Sequence, residues 1–318
     1  MREMPGFEAD DLLGWIAAVG ALRALDSLTD GAARMVWRSQ GGGWRLVALE
    51  VNDPPEEVAR RVWAWLREQA GAWDWGGFDD AGMAPETWAA GAGEARGLAA
   101  ELWCAIGSDG RLHRKGGRIQ ASRLEYAQGG GHQHWLASLR GAVRKLADGG
   151  IGPEDVARVL WGEWRRRDEG LVCRWDWRCE RDHALMAADP TSRSMLTRQD
   201  HAATALAAVG LASLPAAAGR GGLRGALAAL DDEETVCWPV WTVPLGIADV
   251  EAMVVAEALL GPQDNWAARE LGARGVGAVM AARRWYAGKL IVFGRGREMA
   301  RTTSAPAGSR EFARATSS

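Results

Sequence analysis

Lysine is nearly missing from this chain: Lys115, Lys145 and Lys289 are the only lysines among its 38 basic residues, and the other 35 are arginines. Alanine, glycine and tryptophan are abundant at the same time, a combination typical of a GC-rich coding sequence. Arginine content alone is therefore no argument for nucleic-acid binding. The formal net charge of −3 also excludes a uniformly basic protein.

Long apolar runs and cysteines are also scarce. No uninterrupted apolar run approaches the roughly 18 to 20 residues that a membrane-spanning helix needs. The first residues, MREMPGFEADD, are acidic where a secretory signal is basic and then apolar. Four cysteines in 318 residues are too few for a disulfide framework, as expected in a reducing compartment. These absences predict a cytoplasmic protein, and 47% hydrophobic content allows a large core.

The signatures of several catalytic chemistries are missing. The sequence has no Walker A motif, no GxGxxG between a strand and a helix, no HExxH pair and no GxSxG elbow. Cys173, Cys179 and His183 follow a C-x5-C-x3-H spacing that is not typical of zinc sites. We therefore expect no cofactor, and the sequence indicates no reaction.

Helix and strand patterns are interspersed along the chain. Asp10 and Asp11 stand where an N-cap belongs before LLGWIAAVGALRAL, and Pro54-Pro55-Glu56-Glu57 begins an amphipathic pattern. Alternating runs at 35–38 and 44–51 flank three glycines, which is typical of a β-hairpin, and 276–286 with 289–295 form a second pair. The remaining predictions are a loop-rich stretch at 73–93, a turn at 108–110, a strand at 171–177, and helices at 94–106, 132–147, 153–161, 197–214 and 247–260.

This irregular order predicts an α+β fold, with helices and short antiparallel strands in one compact unit over residues 1–302. A division into two lobes would fall near residue 190. Residues 303–318 have the composition of a disordered tail.

Charge is concentrated in blocks. Residues 46–110 contain 4 basic and 12 acidic residues, net −8, whereas residues 111–145 contain 8 basic and 1 acidic, net +7. Residues 229–265 contain 8 acidic and no basic residues, and residues 266–318 contain 10 basic and 3 acidic ones. Two basic blocks separated by acidic ones suit a protein that turns one face toward a polyanion. Ordinary solvated faces explain the same pattern.

The stretch YAQGGGHQHWL, residues 126–136, carries a local signal for anion binding. Gly129, Gly130 and Gly131 lack side chains, so their backbone would approach a phosphate closely while the following helix start presents N–H groups. Gln133 adds a hydrogen-bonding side chain. His132 and His134 would lie about 200° apart on a helix that starts at His132, which argues against a shared metal ion. We expect a contact with phosphate here, and a packing or orienting role for His134.

Further candidates for nucleic-acid contact come from the two basic blocks. They are Arg114, Lys115, Arg118, Arg140, Arg144, Arg283, Arg284 and Lys289. The chain also has 18 tryptophans, whose rings could stack on bases. Most of them, such as Trp15 and Trp238, lie in apolar patterns and are predicted to be core residues. Trp44 and Trp285, next to arginines, are the exceptions.

Two other functions fit parts of the sequence. Asp176, Asp182, Asp189 and His183 are spaced like ligands of a metal-dependent nuclease, although each aspartate stands beside an arginine or in a turn. The acidic blocks alternatively suit a scaffold that docks basic protein partners.

Several segments, taken together and in order, resemble the smaller version of the large subunit in type I-U (also called I-G) CRISPR effector complexes. The segments are LLGWIAAVGALRAL with GGGWRLVAL, GGGHQHWLASLRGAV, WGEWRRRDEGLVCRWDWRCERDHALMAADPTSR, ATALAAVGLASLP, CWPVWTVPL and GARGVGAVMAARRWYAGKLIVFGRG. They span nearly the whole chain. One departure precedes the first helix, where Asp10-Asp11 replaces the Asn-Pro of the family pattern.

The resemblance implies a non-catalytic subunit of a guide-RNA-bound surveillance complex. Its implied partners are guide RNA, target DNA, the other effector subunits and the helicase-nuclease that degrades the target. Its implied tasks are to help recognise the short motif beside the target, to hold unwound DNA and to recruit the helicase-nuclease. In such complexes base pairing reads the sequence, while protein reads backbone and flanking duplex.

Overall fold

The computed structural model describes residues 1–112, 116–125, 135–168, 174–178, 199–219, 222–225, 227, 234–260, 264–287 and 290–301. Its α-helices are α1 (Leu12–Leu28), α2 (Pro55–Glu68), α3 (Pro85–Glu94), α4 (Leu98–Ile106), α5 (Trp135–Ala147), α6 (Pro153–Trp161), α7 (His201–Leu211), α8 (Ile247–Val254), α9 (Glu257–Leu260) and α10 (Asn265–Ala273). Two short 3₁₀ helices, Gln69–Trp73 and Trp75–Gly77, follow α2. The predicted α+β class is confirmed.

The strands are β1 (Arg2–Glu8), β2 (Arg34–Gln40), β3 (Gly43–Leu49), β4 (Gly107–Leu112), β5 (Ile119–Ala121), β6 (Ala216–Gly219), β7 (Gly222–Gly225), β8 (Thr235–Trp241), β9 (Val276–Ala287), β10 (Leu290–Phe293) and β11 (Arg297–Arg301). All paired strands are antiparallel. The first sheet has the order β1-β3-β2, and in the second β9 pairs with β8, β10 and β11. Strands β4 and β5 form a separate pair, as do β6 and β7.

Several predicted elements are present with the expected chemistry. Helix α1 begins after Asp11, whose carboxylate accepts a hydrogen bond from the Leu13 N–H at 3.2 Å. The two predicted hairpins are β2–β3 and β9–β10. The two hairpins lie near opposite ends of the sequence.

Other predictions were wrong in type or extent. Strand β1 was not predicted, since its sequence REMPGFE shows no alternation, and α3 lies in the stretch predicted to be loop-rich. Residues 108–110 belong to β4, and residues 174–177 form turns and a bend where a strand was predicted. Helix α4 starts at Leu98, and α8 and α9 replace one predicted helix. The predicted start of the helix at 132–147 lies outside the described residues, and α5 ends at Ala147 as predicted.

Helices α1 and α7 form the centre of the core. Both are almost entirely buried, and their backbones approach each other at Gly20 and Gly210. The buried hydrophobic residues from Met4 to Phe293 form one cluster. Trp15 and Trp238 are fully buried within it, as predicted, and their indole N–H groups donate to backbone carbonyls at 2.8 Å.

Within the described ranges, no helix combines the length and apolar character needed to cross a lipid bilayer. Two cysteines, Cys104 and Cys237, lie in these ranges, and both are free thiols.

Candidate nucleic-acid interface

Part of the predicted interface lies outside the described residues. This applies to Arg114, Lys115, Lys289 and the stretch that contains Gly129, Gly130, Gly131, His132, Gln133 and His134. It also applies to Cys173, Cys179, Asp182, His183 and Asp189.

The described candidates of the first basic block, Arg118, Arg140 and Arg144, have acidic residues as neighbours. The guanidinium of Arg140 is buried and donates to the Phe78 carbonyl at 2.9 Å and to Oδ1 of Asp79 at 2.6 Å. Arg144 is exposed, 3.9 Å from Oδ1 of Asp74. Arg118 shares a surface pocket of about 570 Å³ with Asp79 and two other acidic side chains, Asp80 and Glu86. The acidic and basic sequence blocks therefore neutralise each other here.

Arg283 and Arg284, the two candidates on β9, lie in different environments. Arg283 is exposed, whereas Arg284 is only 4% exposed, because successive side chains of a strand point to opposite faces. Only Arg283 is placed to meet a ligand.

The fold creates a different basic site, which we call the arginine groove. It lies between the β2–β3 turn, the turn before α1, residues 177–178 and the start of β11, and encloses about 650 Å³. The residues that line it are Glu8, Ala9, Asp10, Gln40, Gly41, Gly42, Gly43, Trp44, Arg45, Trp177, Arg178, Met280, Arg295, Gly296, Arg297 and Glu298. Backbone contact joins its two sides, since the Gly296 N–H donates to the Asp10 carbonyl at 2.8 Å.

Like charges face each other beside the groove. Arg38 on β2 is the cross-strand partner of Arg45 on β3, and both side chains are exposed. Directly opposed like charges destabilise a sheet. Arg297 is also exposed, and among the described residues neither Arg45 nor Arg297 forms an ion pair. On its other side Arg45 lies opposite Glu8 of β1 and donates to the Pro5 carbonyl at 3.2 Å. Arg38, Arg45 and Arg297 still give this surface exposed cations for an anion.

Along one side of the groove, the Gly41–Gly43 turn presents backbone without side chains. Gly41 and Gly42 have φ values of 60° and 81°, a conformation that favours glycine. Gly43 has no such requirement, and a methyl group added there would meet only the Gln40 carbonyl oxygen at 3.9 Å. Neither turn geometry nor packing explains this third glycine, whose backbone faces open space.

Trp177 lines the groove beneath two guanidinium groups. The centroid of its ring is 4.7 Å from the Arg178 guanidinium carbon and 5.3 Å from that of Arg295. Arg295 also donates to Oδ2 of Asp10 from Nε at 2.8 Å and pairs with it through Nη2 at 2.6 Å. The Arg295 side chain is 62% exposed, so its ion pair and its cation–π contact contribute on the order of 1 kcal/mol or less each.

A cluster of buried charges supports the groove from below. Asp11 and Asp176 are almost completely buried, and Oδ2 of Asp176 accepts from Arg166 at 3.1 Å. Arg178 is 3.3 Å from a carboxylate oxygen of each aspartate and 2.6 Å from Glu8. Arg166 reaches this position with φ of 45°, a backbone conformation uncommon for residues with side chains. Three carboxylates thus share two arginines.

This cluster explains why a metal role for Asp176 has little support. Its oxygens accept hydrogen bonds from Arg166 and Arg178, so arginine cations already occupy the positions of a metal ion. No group of three or more His, Cys, Asp or Glu side chains suited to a metal ion occurs in the ranges that the structure describes.

Within this cluster, Asp11 is the carboxylate whose pKa is raised. Burial raises the pKa of Asp11 well above its ordinary value of 3.8, and the neighbouring Asp176 raises it further, against the opposing effect of Arg178 and Arg166. Between 3.8 and the raised pKa, folded Asp11 retains a proton that the unfolded chain has lost. The contribution of Asp11 to the free energy of unfolding therefore falls as pH rises through this window.

We expect the Asp11→Asn variant to gain stability relative to the parent as pH rises. Asparagine is an equally good N-cap and lacks the titrating proton. The two free energies of unfolding, measured by urea denaturation from pH 3.5 to 7, should differ by a constant amount in acid and diverge in favour of the variant at higher pH. A difference independent of pH would contradict the cluster as described.

Sequence reasoning did not single out the arginines of this groove, although Trp44, one of the two tryptophans noted beside arginines, lines it. Arg45, Arg295 and Arg297 belong to WR and GRGR segments, where glycine and tryptophan next to arginine were the available signal. No protein-family model matches this chain, and neither does any curated protein.

Proposed function

We propose that this chain is a non-catalytic, nucleic-acid-binding subunit of a type I CRISPR surveillance complex in the cytoplasm. The observation that carries the binding function is the arginine groove, which is lined by the exposed Arg45 and Arg297, with the exposed Arg38 opposite Arg45 on the neighbouring strand. The assignment to a CRISPR complex rests on the resemblance of segments that span nearly the whole chain.

Phosphate is the ligand that this surface suits best. Guanidinium groups present planar, paired donors that match phosphate oxygens, and the backbone of the Gly41–Gly43 turn allows close approach. Such contacts hold a nucleic acid without reading its sequence. They therefore suit a subunit that holds guide RNA and target DNA beside the other effector subunits and the helicase-nuclease, while base pairing supplies specificity.

The complex itself can be tested by purification. A tagged copy should be expressed with its native neighbouring genes and isolated under gentle conditions. We expect RNA of uniform length and other effector subunits to be recovered with it, and the purified chain alone to cleave no DNA. Recovery of the protein by itself, free of nucleic acid, would contradict the CRISPR assignment.

The groove is tested by removing its two unpaired cations. We expect the double variant Arg45→Ala/Arg297→Ala to bind DNA more weakly and to lower the slope of log K against log salt by about 2, since each lost phosphate contact lowers it by about 0.9. Binding should be measured by fluorescence anisotropy over a series of salt concentrations.

A charge-matched control is Arg60→Ala/Arg274→Ala. Both residues pair with a glutamate on an exposed helix surface, at 2.6 and 2.7 Å, away from the groove lining. This control should leave the salt slope unchanged. Equal slopes for the groove variant and the parent would remove the groove from the interface.

A further inference from the structure

The lining of the arginine groove is not purely basic. Beside its four arginines it contains the Trp177 ring and the carboxylates of Glu8, Asp10 and Glu298. Carboxylates repel phosphate, so a purely phosphate-binding groove would not place them there. Nucleobases, in contrast, offer amino groups that donate to carboxylates and flat faces that stack on aromatic rings.

We infer that Trp177 is a stacking platform for one unpaired nucleobase, which enters the groove by displacing the guanidinium of Arg295. This inference rests on the proposed nucleic-acid-binding function and specifies its ligand as an unpaired nucleotide. About 650 Å³ lies within the range of small-ligand pockets and offers room for a nucleotide, not for a duplex.

The contacts of Arg295 make it the group that moves. It is held by one ion pair with Asp10 and one cation–π contact with Trp177, and most of its side chain is exposed. Arg178 also covers the ring, yet it is fixed by Glu8, Asp11 and Asp176. A stacked base stabilises a complex more than an exposed cation–π contact does. The released guanidinium would then be available to the phosphate of the same nucleotide.

One further feature of the groove matches a nucleotide. Release of Arg295 also frees the Asp10 carboxylate. Aspartate accepts from the amino group of cytosine, whereas the matching edge of thymine presents an acceptor. Cytosine is therefore expected to bind better than thymine.

The test compares short single-stranded oligonucleotides of equal length: oligo-dC, oligo-dT and an abasic oligomer with the same phosphates. For the full chain we expect dC to bind more tightly than dT, and both more tightly than the abasic oligomer. Trp177→Leu should lower affinity for dC by about 10-fold and leave the abasic oligomer unaffected. Asp10→Asn should abolish the preference for dC over dT.

Arg295→Ala distinguishes this inference from simple charge attraction. The variant loses a cation, yet it uncovers the Trp177 ring, so dC affinity should be retained or increased while abasic affinity falls. Circular dichroism and thermal unfolding will show whether each variant is folded. Should Trp177→Leu fail to fold, the Arg295→Ala comparison decides the question.

Failure of the inference differs from failure of the proposed function. If the parent binds all three oligomers equally, or if Arg295→Ala weakens dC and abasic binding to the same extent, the groove holds phosphate and no base. If the parent binds none of them, and no duplex DNA or RNA, the proposed function itself is wrong.

Discussion

Gly20→Ala is expected to destabilise the protein by about 3 kcal/mol or more, the upper end of the range for overpacked cores. A methyl group at this position would overlap the Leu206 carbonyl oxygen across the contact of α1 with α7. The obstacle is backbone, so no rotamer change relieves it and the two helices must separate. Alanine's better helix propensity offsets only about 1 kcal/mol of this cost. Urea denaturation of the purified variant measures the loss.

The reciprocal variant, Gly210→Ala, should behave in the same way, because its methyl group would overlap the Ile16 carbonyl oxygen. The double variant should cost less than the sum, since one separation of the helices accommodates both methyl groups. Gly93→Ala is the matched control: this glycine is exposed on α3, has no neighbour within 4 Å, and should gain up to about 1 kcal/mol. A tolerated Gly20→Ala would mean that the helices are farther apart than described.

The contact between α1 and α7 shows which parts of the fold a single sequence can predict. The apolar pattern after Asp10-Asp11 predicts α1, and the Ala-rich pattern predicts α7, because local signals determine where helices begin and which residues are buried. Nothing local indicates that Gly20 and Gly210 face each other. Strand β1 escaped prediction for a related reason: REMPGFE has no alternation, and its pairing with β3 depends on residues more than 30 positions away.

The charged surface shows a similar limit. Blocks of net −8 and +7 along the sequence suggested a basic face, but Arg140 and Asp79 meet in the fold and neutralise each other. The groove instead takes its arginines from β3, from residue 178, and from residues 295 and 297 at the start of β11. Only the last two lie in a basic block of the sequence. Their convergence with Arg45 and Arg178 depends on contacts between distant segments, which spacing along one sequence does not reveal.

The second large effect is expected at Arg178, the cation shared by three carboxylates. Arg178→Met should destabilise the fold by about 3 kcal/mol at neutral pH, the lower end of the cost of removing one partner from a buried ion pair, because Asp11 and Asp176 are buried while the Arg178 side chain is 27% exposed. Burial opposes the charge of Arg178, but Asp11 and Asp176 outweigh it and raise the pKa of this guanidinium. Methionine retains much of the length and apolar stem, so the loss reports mainly on charge. Thermal and urea unfolding would measure it.

The balance of carboxylates and arginines in the cluster predicts that a second substitution, Asp11→Asn, restores stability lost in Arg178→Met. With Arg178 replaced, Arg166 is the remaining arginine that pairs with the two buried carboxylates, Asp11 and Asp176. Adding Asp11→Asn should therefore recover a large part of the loss, so that the two substitutions are strongly non-additive. Lowering the pH should achieve the same, because Asp11 is the carboxylate whose pKa is raised and which protonates first. The opposite outcome is a loss in free energy of unfolding for Arg178→Met that is the same at pH 4.5 and pH 7 and is not reduced by Asp11→Asn. In that case Arg178 stabilises the fold through packing, and the charges of the cluster do not support the groove.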